Sequence, residues 1–232
     1  MQEEEKLIEE AYQYIKEHKL ELIERFADPK IYLPVERPVS LFMAGSPGAG
    51  KTESSKRLIE AISGPPPLRI DADDIRAIFP KYNGTNSHIF QRACTLGVNV
   101  LFDYVMHNNI NAILDATFAY GKAMENIERS LKHGRIVIIY YLFQDPKVAW
   151  NFTQIREVKE GRHVSKEVFI NAFIKARENV ISAKAQFGDK VELKLLIKDF
   201  TKNFEKLYEH VDHLDNYLPK EYTKEELEKL LL

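Results

Sequence analysis

Gly45-Ser46-Pro47-Gly48-Ala49-Gly50-Lys51-Thr52 is the stretch on which the fold turns. It fits the pattern G-x-x-x-x-G-K-[ST], whose glycines let successive backbone N–H groups point inward around a phosphate at the positive end of the following helix. In that arrangement Lys51 reaches the outer phosphates and the Thr52 hydroxyl ligates Mg²⁺. The pattern carries weight only between a strand and a helix. Upstream, Val39-Ser40-Leu41-Phe42-Met43-Ala44 is a short apolar run after Pro38, as a buried parallel strand shows. Downstream, Glu53 to Ile62 puts Leu58, Ile59 and Ile62 on one helical face. With both neighbours present, nucleoside triphosphate binding is the expectation, against the plainer reading of a glycine-rich turn with a chance lysine.

Working outward, strands and helices alternate. Leu68-Arg69-Ile70 begins a second strand that runs into Asp71-Ala72-Asp73-Asp74, after the break at Gly64-Pro65-Pro66-Pro67. A helix follows from about Asn86 to Met106, then a third strand from Asn111 to Leu114 closing on Asp115, and a helix from about Lys122 that Gly134 stops. The long apolar run from Ile136 to Phe143 predicts a central strand buried on both faces. Asp145-Pro146 then caps a helix, Ser165 caps another that ends near Gly188, and Val191 to Ile197 forms a fifth strand. The tail reads as helical, with a capping box at Thr223-Lys224-Glu225-Glu226. Upstream of the core, residues from Gln2 to about Phe26 form one or two amphipathic helices expected to pack on the sheet. The fold class is therefore α/β: a kinase-like parallel sheet of about five strands with helices on both faces and a phosphate loop at one rim. The expected divisions are a helical extension and linker (1–38), a core domain (39–200) and a helical tail (201–232).

The 232 residues suffice for one such domain with short appendages. A formal net charge of -2 offers no electrostatic case for nucleic acid or a membrane surface. Cys94, the only cysteine, excludes a disulfide framework and reads as a small buried hydrophobe. The acidic start Met1-Gln2-Glu3-Glu4-Glu5 is unlike a signal peptide, and no apolar run is long enough to span a membrane, so a cytoplasmic protein is expected. His88, His107, His133, His163, His210 and His213 show no ligand spacing, and no structural metal is expected; His163 is held in reserve as a substrate contact.

Among phosphate-loop proteins, a motor ATPase needs a strand ending in paired acids, but Ile113-Leu114-Asp115-Ala116-Thr117 ends in one. A GTPase needs an Asn-Lys-x-Asp stretch, which is missing. What remains is a small phosphotransferase, which requires a carboxylate to take the acceptor's proton and arginines to neutralise the transferring group. Asp73 is the leading candidate, with Asp71 and Asp74 as rivals and helix capping as the structural alternative. Alternation along a strand end would put Asp71 and Asp73 on one side. Arg156 and Arg162 bracket a charged stretch between two helices, either a lid that closes over the nucleotide or a solvated turn.

The ordered set resembles the zeta toxins of bacterial toxin–antitoxin systems. The resemblance rests on Met43 to Thr52, on Ile70-Asp71-Ala72-Asp73-Asp74-Ile75-Arg76 followed by Pro80-Lys81-Tyr82, on Leu114-Asp115-Ala116-Thr117, and on the arginines at 156 and 162, and it covers roughly Val39 to Val180. It implies a kinase that uses ATP and Mg²⁺ to phosphorylate the amino-sugar 3′-hydroxyl of UDP-N-acetylglucosamine. Carried over by position, Asp73 resembles the general base, Lys51 the phosphate lysine, and Arg156 and Arg162 the lid arginines. Asp71, Arg76, Asp115 and Thr117 fall on the substrate side, Asp115 where the family has a sugar-binding glutamate. The helices before Leu41 are short for a fused antitoxin domain, so a separate antitoxin, or none, is expected.

Three functions stay open at this level. One is a kinase of UDP-N-acetylglucosamine or a related nucleotide sugar. A second is a kinase of another small molecule, a nucleoside or a polynucleotide 5′ end, the last disfavoured by the near-neutral charge. The third is a regulatory module that binds nucleotide without phosphoryl transfer, a role that has no use for a base.

Overall fold

The computed structural model describes residues 2–199, 204–219 and 221–231. Two amphipathic helices, α1 (Gln2–Glu17) and α2 (Lys19–Phe26), precede the first strand, β1 (Val39–Ala44), which runs through the phosphate loop into α3 (Lys51–Ala61). The chain continues as β2 (Leu68–Ile70), the short α4 (Ala72–Arg76), the long α5 (Ser87–His107), β3 (Ala112–Leu114), α6 (Lys122–Lys132) and β4 (Ile136–Gln144). Then come α7 (Pro146–Glu160), α8 (Lys166–Phe187), β5 (Val191–Asp199), β6 (Phe204–Tyr208) and α9 (Lys224–Leu230).

The six strands lie in the order β2-β3-β1-β4-β5-β6. The first five in that order are mutually parallel, and β6 returns antiparallel beside β5. The five parallel strands are those expected from the sequence, and β6, which falls beyond residue 200, corrects the expectation of a helical tail. Without it the nine-residue β5 would end the sheet with a long unpaired row of N–H and C=O groups, and the antiparallel return satisfies them. β1 sits between β3 and β4, so the phosphate loop leaves the middle of the sheet, flanked by the carboxyl ends of its neighbours. β4 is buried from Ile139 to Gln144, in line with its apolar run.

The helix boundaries follow their caps. Asp145 accepts from the N–H groups of Lys147 and Val148 with Pro146 in the first turn, Ser165 accepts from Val168 N–H, and Thr223 and Glu226 complete a capping box. The N-terminal helices pack against α5 rather than on the sheet. The reason is chemical matching: Ala11, Ile15 and Leu22 supply a narrow buried stripe, while Glu9 pairs with Arg92 at 2.8 Å and the Arg92 guanidinium lies 3.8 Å from the centre of the Tyr12 ring.

At the amino ends of the strands, Arg135 acts as a buried clamp, 3% exposed. Its guanidinium donates to Ser40 Oγ (2.7 Å) and to the carbonyls of Val39 (2.8 Å), Ile110 (2.6 Å) and Val105 (3.2 Å). Burial pushes this group down to about 10. Removing it strands several carbonyls in a dry site, so Arg135→Ala is expected to cost about 3 kcal/mol or more. In thermal unfolding followed by circular dichroism this reads as a fall in Tm of roughly 6 to 12 °C; an unchanged Tm contradicts the clamp.

Candidate active site

The phosphate loop is pressed against its surroundings more tightly than any side chain would allow. A Cβ on Gly45 would lie 2.5 Å from the Leu142 carbonyl oxygen, and one on Gly48 only 2.0 Å from that of Ala149. Both glycines have positive φ, +138° and +74°, so the motif's glycines are required by contact as well as by conformation. Ser46 and Ala49 are buried and Pro47 is half-buried between them. Gly50, in the left-handed region, is the N-cap of α3. Lys51 Nζ donates to the carbonyls of Gly45 (3.0 Å) and Ser46 (2.7 Å), lying across the loop it serves. Burial pushes its ammonium down to about 8; the charges of Arg162 and Arg156 add to this, and those of Asp115 and Asp71 oppose it. Arg156, Arg162 and both strand-end acids therefore act on the loop lysine.

The acidic stretch departs from the extended reading. A helix begins at Ala72, so Asp71 and Asp73 do not share a strand face. Asp71 is the N-cap, its Oδ1 accepting from Asp73 N–H at 2.8 Å, and the capping role considered for Asp73 belongs to Asp71. Burial, and then the nearby charges of Asp73 and Asp115, push the Asp71 carboxyl up to about 6. Asp73, freed from capping, projects from the first turn of α4 and is gripped by two arginines, Oδ1 by Arg76 and Oδ2 by Arg162.

Arg69 and Ser55 belong to the site and were not singled out from the sequence. Arg69 Nη2 pairs with Asp71, its Nη1 with Asp74 (2.6 Å), and its Nε with Asp115 Oδ2 (2.9 Å). Ser55 Oγ donates to the same Asp115 oxygen at 2.8 Å and lies 3.0 Å from the Thr52 carbonyl, which ties the network to the helix of the phosphate loop. The available signal was an arginine between two apolar strand residues, immediately followed by three acids. Asp115 is thus fixed from two sides, with its side chain 2% exposed. Thr117 contributes through its backbone, its carbonyl accepting from Gly45 N–H (3.2 Å), while its hydroxyl holds Ala119 N–H (3.4 Å).

The stretch between the arginines is not a loop throughout. Glu157 and its successors continue α7, Gly161 ends it, and only the residues from Gly161 to Ser165 are irregular. Arg156 therefore projects from a helix, half-buried, whereas Arg162 sits just past the helix end and reaches Asp73 across 89 positions of sequence. That contact ties the segment after α7 to the acidic stretch at the cleft. His163 Nδ1 lies 2.7 Å from Glu157 Oε1. Cys94 is fully buried and burial pushes its thiol up to about 11, which suits a packing residue.

The site fits a triphosphate with its metal. The glycine cradle and Lys51 suit the phosphates, and Thr52 lies in the first turn of α3. Among the described residues no group of three or more His, Cys, Asp or Glu side chains forms a metal cage. A magnesium ion held mainly by phosphates, with one protein hydroxyl, needs none.

The comparisons agree with this fold. Of the solved structures, the toxin–antitoxin system PezAT of Streptococcus pneumoniae is similar with a TM-score of 0.62 at 15% identity, covering 94% of this chain and 86% of that one. The complex of AvrRxo1-ORF1 with AvrRxo1-ORF2 bearing ATP gives 0.60 at 13% identity over 89% of this chain and 67% of its own, and the same complex with sulphate ions gives 0.60 at 12% over 87% and 65%. No curated protein sequence matches the chain significantly. The family model described as Zeta toxin matches residues 5–210, from the first turn of α1 to just past β6. With a match of that extent, this chain belongs to the zeta toxin family.

Proposed function

We propose that the protein transfers the γ-phosphoryl group of ATP to a hydroxyl of a nucleotide sugar, UDP-N-acetylglucosamine or a close relative. The observation that carries the reading is the convergence at one sheet rim of Lys51, Asp73 and Arg162, drawn from three distant stretches of chain. A module that merely binds nucleotide has no use for a carboxylate aligned with a lid arginine. Magnesium and ATP, when bound, supply the phosphoryl donor and neutralise charge on its oxygens.

In this reading Lys51 and the loop N–H groups orient the donor, and Thr52 holds the metal. Asp73 accepts the proton of the acceptor hydroxyl as that oxygen bonds to the γ-phosphorus; the bond to the leaving oxygen breaks and ADP departs with its electrons. Arg156 and Arg162 meet the charge that spreads over the transferring group. Asp71 and Asp115, locked by Arg69, shape the acceptor side. Asp115 is one methylene shorter than the glutamate of the family pattern, which bears on the identity of the sugar more than on the reaction. Family membership supports a dedicated antitoxin as protein partner, and among the described residues no helix is long and apolar enough to cross a membrane.

The direct test is ATP consumption by purified protein and Mg²⁺ with and without UDP-N-acetylglucosamine, with mass spectrometry of the sugar. The product should gain one phosphate. Asp73→Asn should lower kcat by about 10²- to 10⁴-fold while ATP binding stays within about twofold; undiminished turnover by this variant removes the base assignment. Nucleotide binding with no phosphorylated sugar keeps the kinase and transfers the question to another acceptor. A separate expectation concerns the loop: Gly48→Ala should abolish ATP binding, read by a fluorescent analogue, with its far-ultraviolet circular dichroism unchanged, because the new methyl displaces the loop from the Ala149 carbonyl. Retained binding means that the loop does not hold the nucleotide.

A further inference from the structure

The two oxygens of Asp73 are held in different ways. Oδ1 is taken by Arg76, three residues along the same short helix, whose side chain is 5% exposed. The second amino group of that guanidinium, Nη2, donates to Gln91 Oε1 on α5 at 2.9 Å, so Arg76 is anchored at its far side. Between them Ile75, fully buried, packs α4 onto α5 at Gly97, where an added Cβ would lie 3.0 Å from Ile75 Cγ2. Oδ2 is taken by Arg162, which stands in the irregular segment beyond α7 with its side chain 31% exposed. One partner stands on a helix packed into the fold and the other on an irregular, partly exposed segment at its rim.

We propose that Arg76 is a positioning residue that fixes the Asp73 carboxylate through Oδ1, which leaves Oδ2 as the oxygen that receives the acceptor's proton once Arg162 is drawn from it to the γ-phosphate. This rests on the reading of Asp73 as the base. The torsion that orients a carboxylate is broad and roughly two-fold, so an untethered Asp73 would spread its lone pairs over many directions. A fork anchored at both ends removes that freedom at Oδ1, and proton transfer depends on such alignment. Arg162 meets Oδ2 through one amino group, Nη1, and a phosphoryl oxygen competes with Asp73 for that guanidinium. A bound triphosphate, with greater negative charge than one carboxylate, favours the phosphoryl partner, so loading the nucleotide uncovers the base. Arg76, whose two amino groups are committed to Asp73 and Gln91, is thereby moved from the substrate-contact role that the motif suggested.

The test compares Arg76→Met, Arg76→Lys and Gln91→Leu with the parent protein. Arg76→Met should lower kcat by about 100-fold while the acceptor KM and the affinity for a fluorescent ATP analogue stay within about threefold. Arg76→Lys should recover no more than about a tenth of the lost rate, since an ammonium lacks the planar fork. Gln91→Leu, which loosens the anchor but leaves the pair, should cost less than Arg76→Met. A raised KM at unchanged kcat makes Arg76 a substrate contact, and a joint fall in nucleotide affinity and Tm makes it structural only; either overturns the proposal. A second readout needs no acceptor. In nitrogen NMR of the arginine side chains, adding Mg²⁺ and a non-hydrolysable ATP analogue should shift the Arg162 signals and leave those of Arg76 in place. Movement of Arg76, or a static Arg162, overturns the proposal even where UDP-N-acetylglucosamine is phosphorylated. The expected shifts without sugar phosphorylation fault the acceptor alone.

Discussion

Arg69 carries the charge on which the site depends. Asp71 and Asp115 stand at the ends of the adjacent strands β2 and β3, both buried, and burial followed by the charges of Asp73 and Asp115 makes Asp71 resist ionisation. A guanidinium with donors on three edges can serve both and reach Asp74 as well. Removing it would leave buried acids without a counter-charge, which costs far more than the net worth of any one ion pair. Arg69 thus supplies the counter-charge shared by both strand ends at the cleft. That β2 holds just three residues places this arginine one step from the rim it neutralises.

From that point the constraint spreads to the phosphate loop. Asp115 receives the Ser55 hydroxyl, and Ser55 touches the Thr52 carbonyl, so the position of α3 is referred to the acids across the cleft. On the other side Thr117 accepts from Gly45 and the glycines abut the carbonyls of Leu142 and Ala149. The loop is thus held by β3, β4 and α7 together. Its lysine sits among both signs of charge, with burial lowering its affinity for a proton and the two acids restoring part of it. The loop lysine thus lies where the charges of two arginines and two acids act together.

The N-terminal helices bear on the same cleft only at one remove. They cover the outer side of α5, and α5 is the helix that backs α4 through Ile75 at Gly97 and Gln91 at Arg76. The layer α1–α5–α4 thus supports the element bearing Asp73, while Arg162 reaches Asp73 from the opposite side.

Much of this was legible in residue order. The phosphate loop, the alternation of strands and helices, the caps at Asp145, Ser165 and Thr223, and the burial of Ile139 to Phe143 all follow from local signals, because backbone preference and hydrophobic period act over a few residues. The residues after Asp71 read as extended although they form α4, because the Asp71 side chain caps a helix over the same three positions. What only the tertiary structure decided was pairing at a distance. That Arg69 joins Asp115, that Arg162 covers one oxygen of Asp73 while Arg76 holds the other, and that β6 completes the sheet depend on which strands become neighbours and where a helix end projects. The sequence by itself determined the kinds of groups present and the family they belong to; the fold determined which charges meet, because Coulomb and hydrogen-bond energies are set by separations of a few ångströms that residue order does not encode.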